Sequence, residues 1–141
     1  MMSTMDTDEN LLTIGQVAVR LGLTTSTLRY WEERGVLQPT ARQSGRRLYG
    51  PEQLRRVALI QIWQETGMMS LAEIATVLAG RTETGHWRDT VRRRMAAMDE
   101  QIDRLTQAKA YLAHYLGCPR DHPADDCPVV SEEADARIRA V

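Results

Sequence analysis

The feature that most constrains this chain is a series of mostly apolar residues in its C-terminal half, spaced alternately four and three apart. This heptad spacing places the side chains along one narrow stripe of a single long helix. The seam positions are Val91, Met95, Met98, Ile102, Leu105, Lys109, Leu112 and Leu116. A helix cannot bury such a stripe against itself, so we expect a second copy of the chain to cover it in a homodimer. The alternative is that the helix packs back on its own N-terminal half.

The charged residues are divided unevenly along the chain. Residues 12–60 contain eight Arg and three acidic residues, whereas residues 118–141 contain six acidic residues and three Arg. The net charge of −1 conceals this division. A basic N-terminal segment joined to an acidic tail indicates a polyanion-binding module attached to a segment with another role. A chance cluster of charge on a solvated face is the alternative.

Two short helices are predicted near the N-terminus. Thr13 and Gln16 form a capping box that begins the first helix, and Gly22 ends it. The second helix is predicted from Thr25 to Arg34. Two short helices joined by a turn that contains glycine are typical of a helix-turn-helix.

A short polar segment follows these helices and predicts a hairpin wing over residues 39–49, with Ser44 and Gly45 at its tip and Arg on both sides. Pro51 is well placed to begin a third helix, which is predicted to end near Thr66. A second capping box begins a fourth helix at Ser70, and this helix is predicted to end at Gly80. The predicted core face of the third helix comprises Leu54, Val57, Ala58, Ile60, Ile62 and Trp63.

The predicted fold is therefore mainly α. We expect a disordered leader at residues 1–11, a winged helix-turn-helix domain at 12–80, a dimerisation helix at 86–116 and an effector loop and tail at 117–141. No apolar run has the length needed to span a membrane, and the first residues lack the pattern of a secretory signal. We therefore expect a cytoplasmic protein with no membrane partner.

The basic half contains candidate contacts to double-stranded DNA. Short hydroxyl side chains at the start of the second helix can approach base edges or phosphates, and an Arg one turn later can reach guanine in the major groove. Arg on a wing grips the flanking backbone. The candidates are Thr25, Ser26, Arg29, Tyr30, Arg42, Arg46, Arg47 and Tyr49. Arg47 or Tyr49 packing the wing onto the domain is the alternative for those two, and Leu28 and Trp31 are expected in the core.

Both cysteines lie in one loop, at Cys118 and Cys127, with His122 between them. Soft thiolates suit Cu(I), Zn or Hg-like ions, and zinc would need further ligands such as His122. Thiol oxidation is a second interpretation, an unrelated small-molecule effector a third, and cysteines that only pack the tail a fourth. A zinc enzyme using these three residues lacks a candidate catalytic acid, so no enzymatic activity is expected. A coiled-coil interaction module without DNA binding is opposed by the basic wing.

The sequence resembles the MerR family of transcription regulators. The resemblance rests on Arg29-Tyr30-Trp31-Glu32, then Gly35-Val36-Leu37, Pro39 and the wing segment Gly45-Arg46-Arg47-Leu48-Tyr49, and it extends from about Leu12 to Val130. Trp31 stands where Tyr is more usual, and the wing between Arg42 and Gly45 looks one residue shorter than in many members.

The resemblance implies a homodimer joined by an antiparallel coiled coil and bound to an inverted repeat in a promoter with an overlong spacer. Effector binding then bends and untwists the DNA, which acts on RNA polymerase indirectly. The spacing of Cys118 and Cys127 resembles that of mercury sensors in the metal-sensing branch. Those sensors add a third Cys from the partner's long helix, which this chain lacks, whereas copper sensors manage with two.

Overall fold

A computed structural model describes residues 10–141, and most of these residues are helical. The helices are α1 (Ile14–Leu21), α2 (Thr25–Glu33), α3 (Pro51–Glu65), α4 (Leu71–Ala79), α5 (Trp87–Tyr115), α6 (Pro123–Asp126) and α7 (Pro128–Arg139). The strands are β1 (Leu12–Thr13), β2 (Ala41–Gln43) and β3 (Arg46–Tyr49). The predicted mainly α fold is confirmed. Residues 1–9 of the predicted disordered leader lie outside the described residues.

The chain divides into two units, Met1–Arg94 and Met95–Val141, and the long helix α5 crosses the boundary. The sequence predicts residues 86–116 as a dimerisation helix separate from both the winged helix-turn-helix domain and the tail. The structure instead groups its first two turns with the N-terminal unit. Thr90 is buried there, and Arg94 forms an ion pair with Glu73 of α4. We call residues 10–94 the head and residues 95–141 the C-terminal unit.

Capping interactions fix the ends of the head helices where the sequence predicts them. Thr13 and Gln16 form the predicted capping box of α1, with each side chain bonded to the other residue's backbone amide. Gly22 ends α1 at φ 66°, a left-handed conformation that glycine adopts without a steric penalty. Ser70 and Glu73 repeat the box at α4. The start and the end of α1, the first helix of the helix-turn-helix, are therefore both determined by local sequence.

The predicted wing is the hairpin β2–β3, in which Arg42 pairs with Arg47 across the ladder. Its two-residue turn has positive φ at both Ser44 (53°) and Gly45 (77°), which matches the right-handed twist of the strands. The sequence analysis did not predict β1, which pairs antiparallel with β3 and makes a three-stranded sheet in the order β1-β3-β2. The wing is thereby attached to the segment just before α1.

The head contains a continuous apolar core. Leu28 and Trp31 are buried, which confirms both as core residues. Ile62 was predicted in the core but is 52% exposed, so that prediction is wrong. The helical period of α3 directs Val57 and Ile60 inward and leaves Ile62 at the margin of the buried face. The buried apolar residues are Val17, Ala18, Leu28, Trp31, Val36, Leu37, Tyr49, Val57, Ile60 and Ile74.

The C-terminal unit contains the rest of α5, the short helix α6 and the final helix α7. The final helix starts at Pro128, with Cys127 as its N-cap residue. Proline suits the first helical position because its φ is already helical and its missing N–H is not needed there. Among the described helices, none is both long enough and apolar enough to cross a membrane.

Candidate nucleic-acid interface and cysteine loop

The N-terminal part of α2 presents polar side chains to solvent. Thr24 caps the helix by accepting a hydrogen bond from the backbone amide of Thr27. The next turns carry the predicted contact residues, of which Thr25 is half-buried while Ser26 and Arg29 are exposed. Tyr30 is also exposed, with 51% of its surface accessible. Ser26, Arg29 and Tyr30 lie on the side of the helix away from the buried Leu28 and Trp31, so the helix is anchored on one side and open on the other.

On the wing, Arg42 and Arg46 are exposed. They lie on adjacent antiparallel strands on either side of the tight turn, so the wing carries two accessible guanidinium groups close to its tip. Exposed cations of this kind suit a phosphate backbone, which is recognised by charge rather than by sequence.

Arg47 and Tyr49 are engaged inside the head. The Arg47 Nε donates to Glu32 Oε2 at 2.6 Å, and the Tyr49 hydroxyl donates to the other oxygen, Glu32 Oε1. Tyr49 is fully buried, and burial, followed by the contact with Glu32, raises the pKa of its hydroxyl. The prediction that Tyr49 contacts DNA is therefore corrected, because its hydroxyl has no access to a phosphate. The alternative, that these two residues pack the wing onto the head, describes this geometry.

A second ion pair joins α4 to the start of α5. The Arg94 Nε donates to Glu73 Oε2 at 3.0 Å. Burial alone would raise the pKa of Glu73, but hydrogen bonds from Arg94 and from Ser70 outweigh it and lower that pKa. The carboxylate is thus held in its charged form between the two helices.

The heptad seam is open along most of its length. The exposed fractions are 58% for Met95 and Ile102, 62% for Leu105, 63% for Leu112 and 88% for Leu116. Lys109 is exposed as well, whereas Val91 and Met98 are partly covered. Leu116 lies one residue beyond the end of α5. A helix with such an apolar stripe uncovered has a free surface suited to a partner helix.

The structure brings Cys118 and Cys127 together. Both line one cavity of about 380 Å³, together with His114, Arg120, Val129 and Val130 among others. Both thiols are free and partly exposed. The backbone amide of Val130, assisted by that of Val129 and by the Cys118 thiol, lowers the pKa of Cys127. A thiol at the N-terminus of a helix is favoured as thiolate, the form that binds soft metal ions.

His122, the third predicted ligand, does not line this cavity and instead precedes α6 as its N-cap residue. Within residues 10–141, no three His, Cys, Asp or Glu side chains lie close enough together to hold a metal ion. The two thiols that share this cavity are soft sulfur donors, the kind of ligand that Cu(I), Zn or Hg-like ions bind.

A polar cluster closes the base of the cysteine loop, and sequence reasoning missed it. The hydroxyls of Tyr111 and Tyr115 lie 2.5 Å apart, and each donates to Glu133 Oε2 at 2.7 Å. These hydrogen bonds lower the pKa of Glu133. The spacing of the two tyrosines by one helical turn was the available signal, but nothing in the sequence pairs them with a residue on α7.

Two family models match the chain. "MerR HTH family regulatory protein" matches residues 12–81, which include the helix-turn-helix and the wing, and "MerR, DNA binding" matches residues 54–115. Together they extend from β1 to the end of α5.

Individual relatives and a solved structure are similar to this chain over most of its length. A HTH-type transcriptional activator SoxR homolog from Chromobacterium violaceum is 33% identical over an alignment of 116 residues that covers 79% of this chain and 78% of that protein. The HTH-type transcriptional regulator HmrR from Rhizobium leguminosarum bv. viciae is 26% identical, over 88% of this chain and 98% of that protein. A MerR family regulator from Bacillus cereus shares the fold, with a TM-score of 0.60 at 20% identity, over 92% of this chain and 98% of that one. The chain therefore belongs to the MerR family of DNA-binding transcription regulators, and it is a regulator rather than an enzyme.

Proposed function

We propose that this regulator acts as a homodimer whose two heads bind an inverted repeat in double-stranded promoter DNA. Thr25, Ser26 and Arg29 of α2 face the major groove and the Tyr30 hydroxyl donates to a phosphate, while Arg42 and Arg46 of the wing contact the flanking phosphates. The observation that carries this proposal is the concentration of exposed hydroxyl and guanidinium groups on α2 and the wing of one head. The exposed heptad seam supports an antiparallel helix pair that joins two copies.

A binding assay on a DNA fragment from upstream of the protein's own gene tests this function. Arg29→Ala is expected to cost about 1–3 kcal/mol in operator affinity and to relax discrimination at one base pair. Arg104→Ala is the matched control, because Arg104 is exposed on α5 and belongs to neither α2 nor the wing. Equal affinities for the operator fragment and for a scrambled fragment at moderate salt would refute sequence-specific binding.

The effector is, in this proposal, a thiophilic metal ion held by Cys118 and Cys127. The cavity that contains both thiols supports it, and the absence of a third ligand within residues 10–141 favours an ion that accepts two thiolates. Such an ion supplies a link of fixed length between the two ends of the loop. The loop follows directly on α5, so a change there is transmitted to the helix that carries the dimer seam.

Titration of the reduced protein with Cu(I) tests the metal proposal. Cys118→Ser and Cys127→Ser are each expected to abolish high-affinity binding and the metal-dependent change in transcription, whereas the control His122→Ala leaves both unchanged. Loss of binding in the His122 variant would show a third ligand. Persistence of the response in both cysteine variants would contradict the loop as the effector site.

Oxidation of the same thiol pair is a second candidate, favoured by the placement of both sulfurs in one cavity. Formation of a disulfide removes two electrons and two protons from the thiols, and a hydroperoxide accepts them and becomes an alcohol and water. Thiol counting after exposure to a hydroperoxide or to Cu(I), each alone, separates the two effectors. Transcription that responds only to the peroxide would favour oxidation.

At the promoter, we propose that effector binding alters the separation or angle of the two heads and so untwists and bends the DNA between the half-sites. RNA polymerase then meets promoter elements in better register, without a contact to this protein being required. Footprinting with and without effector tests this step, because DNA distortion creates hypersensitive positions at the centre of the repeat.

A further inference from the structure

One carboxylate in the head links the wing to α2, the proposed recognition helix. Glu32 lies near the end of α2, and its side chain is only 10% exposed. Its two oxygens are used separately, one by the Nε of Arg47 and the other by the hydroxyl of Tyr49, both on β3. The residues that would touch DNA lie on α2 and on the same wing, and they are mostly exposed to solvent.

The wing itself creates a need for this carboxylate. Arg42 and Arg47 are directly opposite in the β2–β3 ladder, and like charges at such positions repel each other. Glu32 places a negative charge on Arg47 and thereby offsets that repulsion. Arg47 is consequently neutralised within the protein and is not available to neutralise a phosphate, whereas Arg42 stays exposed.

The bonds from Arg47 and Tyr49 to Glu32 are also strong enough to fix the orientation of the wing on α2. Hydrogen bonds between charged groups are shorter and about twice as strong as neutral ones. The partner atoms are largely shielded from water, because Tyr49 is fully buried and the Arg47 side chain is 30% exposed. A two-point attachment of β3 to α2 restricts both the distance and the rotation of the wing relative to the helix.

We propose that Glu32 is a positioning residue for operator recognition. Its carboxylate holds the wing on the recognition helix so that Arg42 and Arg46 meet the backbone in the one register that lets Arg29 reach its base. Glu32 makes no contact with DNA in this arrangement. The inference rests on the proposed DNA-binding function. Glu32 would affect operator specificity from inside the protein, without contacting DNA.

Operator and scrambled DNA fragments distinguish positioning from simple charge. Glu32→Gln and the control Glu33→Gln remove the same charge from the same helix, and Glu33 is exposed. We expect Glu32→Gln to lower operator affinity about 10-fold relative to Glu33→Gln. Affinity for scrambled DNA should stay within about 2-fold of the control, since non-specific binding depends on charge alone. Equal operator affinities for the two variants would overturn the proposal. A wild-type protein without operator preference would instead overturn the proposed function.

A salt series tests the role of Arg47 independently. Arg46→Met is expected to reduce the slope of log affinity against log salt by about 0.9, as loss of one phosphate contact does, whereas Arg47→Met leaves the slope unchanged and lowers operator affinity. A reduced slope for Arg47→Met would contradict the assignment.

The melting temperature of each variant shows whether unfolding is the cause of weaker binding. If Glu32→Gln does not fold, Tyr49→Phe keeps the buried ring and removes one donor. A several-fold loss of operator affinity in this folded variant, with unchanged binding to scrambled DNA, supports the proposal, and an unchanged operator affinity overturns it.

Discussion

The head and the C-terminal unit bury their apolar side chains in different ways. The head encloses ten apolar residues at no more than 5% exposure, whereas the C-terminal unit, which the structure describes throughout, contains no buried residue. The head thus has a core of its own, and the C-terminal unit offers its apolar surface outward. The contrast teaches that one chain can combine a part held by internal packing with a part whose apolar surface is left uncovered, where we propose that a partner helix packs. Each of the following substitutions tests one side of that contrast.

The largest effect is expected at the dimer seam. Ile102→Glu combined with Leu105→Glu places two charges where the proposed partner helix packs, and we expect dimerisation to weaken roughly 1,000-fold or more. Sedimentation equilibrium measures the change. Gln107→Glu is the control, since position 107 lies on the opposite side of the helix from the seam. A monomeric wild-type protein, or a dimer unaffected by the double substitution, would mean that another surface pairs the chains.

The next largest effect is expected in the head core. Leu28→Ala removes a fully buried side chain beneath the recognition helix, and we expect a loss of about 3 kcal/mol in the free energy of unfolding. Val19→Ala, at a position that is 85% exposed, should cost less than about 0.5 kcal/mol. Chemical denaturation of both variants measures the difference. Similar losses at the two positions would contradict the description of the head as the internally packed unit.

A smaller effect is expected where the C-terminal unit relies on surface hydrogen bonds. Glu133→Gln weakens the contact that Tyr111 and Tyr115 make with α7. Amide hydrogen exchange over residues 117–127 should then accelerate roughly 3-fold, because the loop is released at its base. Asp135→Asn on the same helix is the control, and it should leave the exchange rates unchanged. The prediction fails if the two variants exchange alike.

The smallest effect is expected at the Glu73–Arg94 ion pair, which is partly exposed to solvent. Because the folded pKa of Glu73 is lowered from 4.5, its stabilisation is present above the unfolded pKa and is lost as the pH falls through the folded pKa. Glu73→Gln should therefore cost about 1 kcal/mol or less at pH 7 and less than that at pH 3, since protonation of Glu73 removes the ion pair as the pH falls. Thermal unfolding at the two pH values, with Glu83→Gln as the exposed control, measures this. A cost that is independent of pH would exclude the ion pair as its source.

Local signals in the sequence were sufficient for much of the head. Capping residues such as Thr13 and Ser70 satisfy amides within their own helix, so their role is visible over three or four positions. The wing followed from Ser44 and Gly45, which supply the backbone angles of a tight hairpin turn. The heptad spacing predicted α5 for the same reason, since it depends only on helical period.

Contacts between distant positions were beyond the sequence. Glu32 meets Arg47 and Tyr49 across 15 and 17 residues, and no periodicity predicts which of several Arg and Tyr side chains turns inward. For that reason Tyr49 was expected on DNA and is found in the core. The sequence indicates only that Cys118 and Cys127 share a loop, because α6 and the start of α7 at Pro128 determine how that loop folds.

Each cysteine of the loop is followed by proline, as Cys118-Pro119 and Cys127-Pro128. Proline confines the residue before it to extended backbone conformations, and Cys127 has such a conformation at φ −91° and ψ 115°. The two prolines thus remove part of the conformational entropy that these two cysteines would otherwise lose on the proposed ligation. On the proposed metal-sensing function, replacing either proline is therefore expected to weaken metal binding without removing a sulfur ligand.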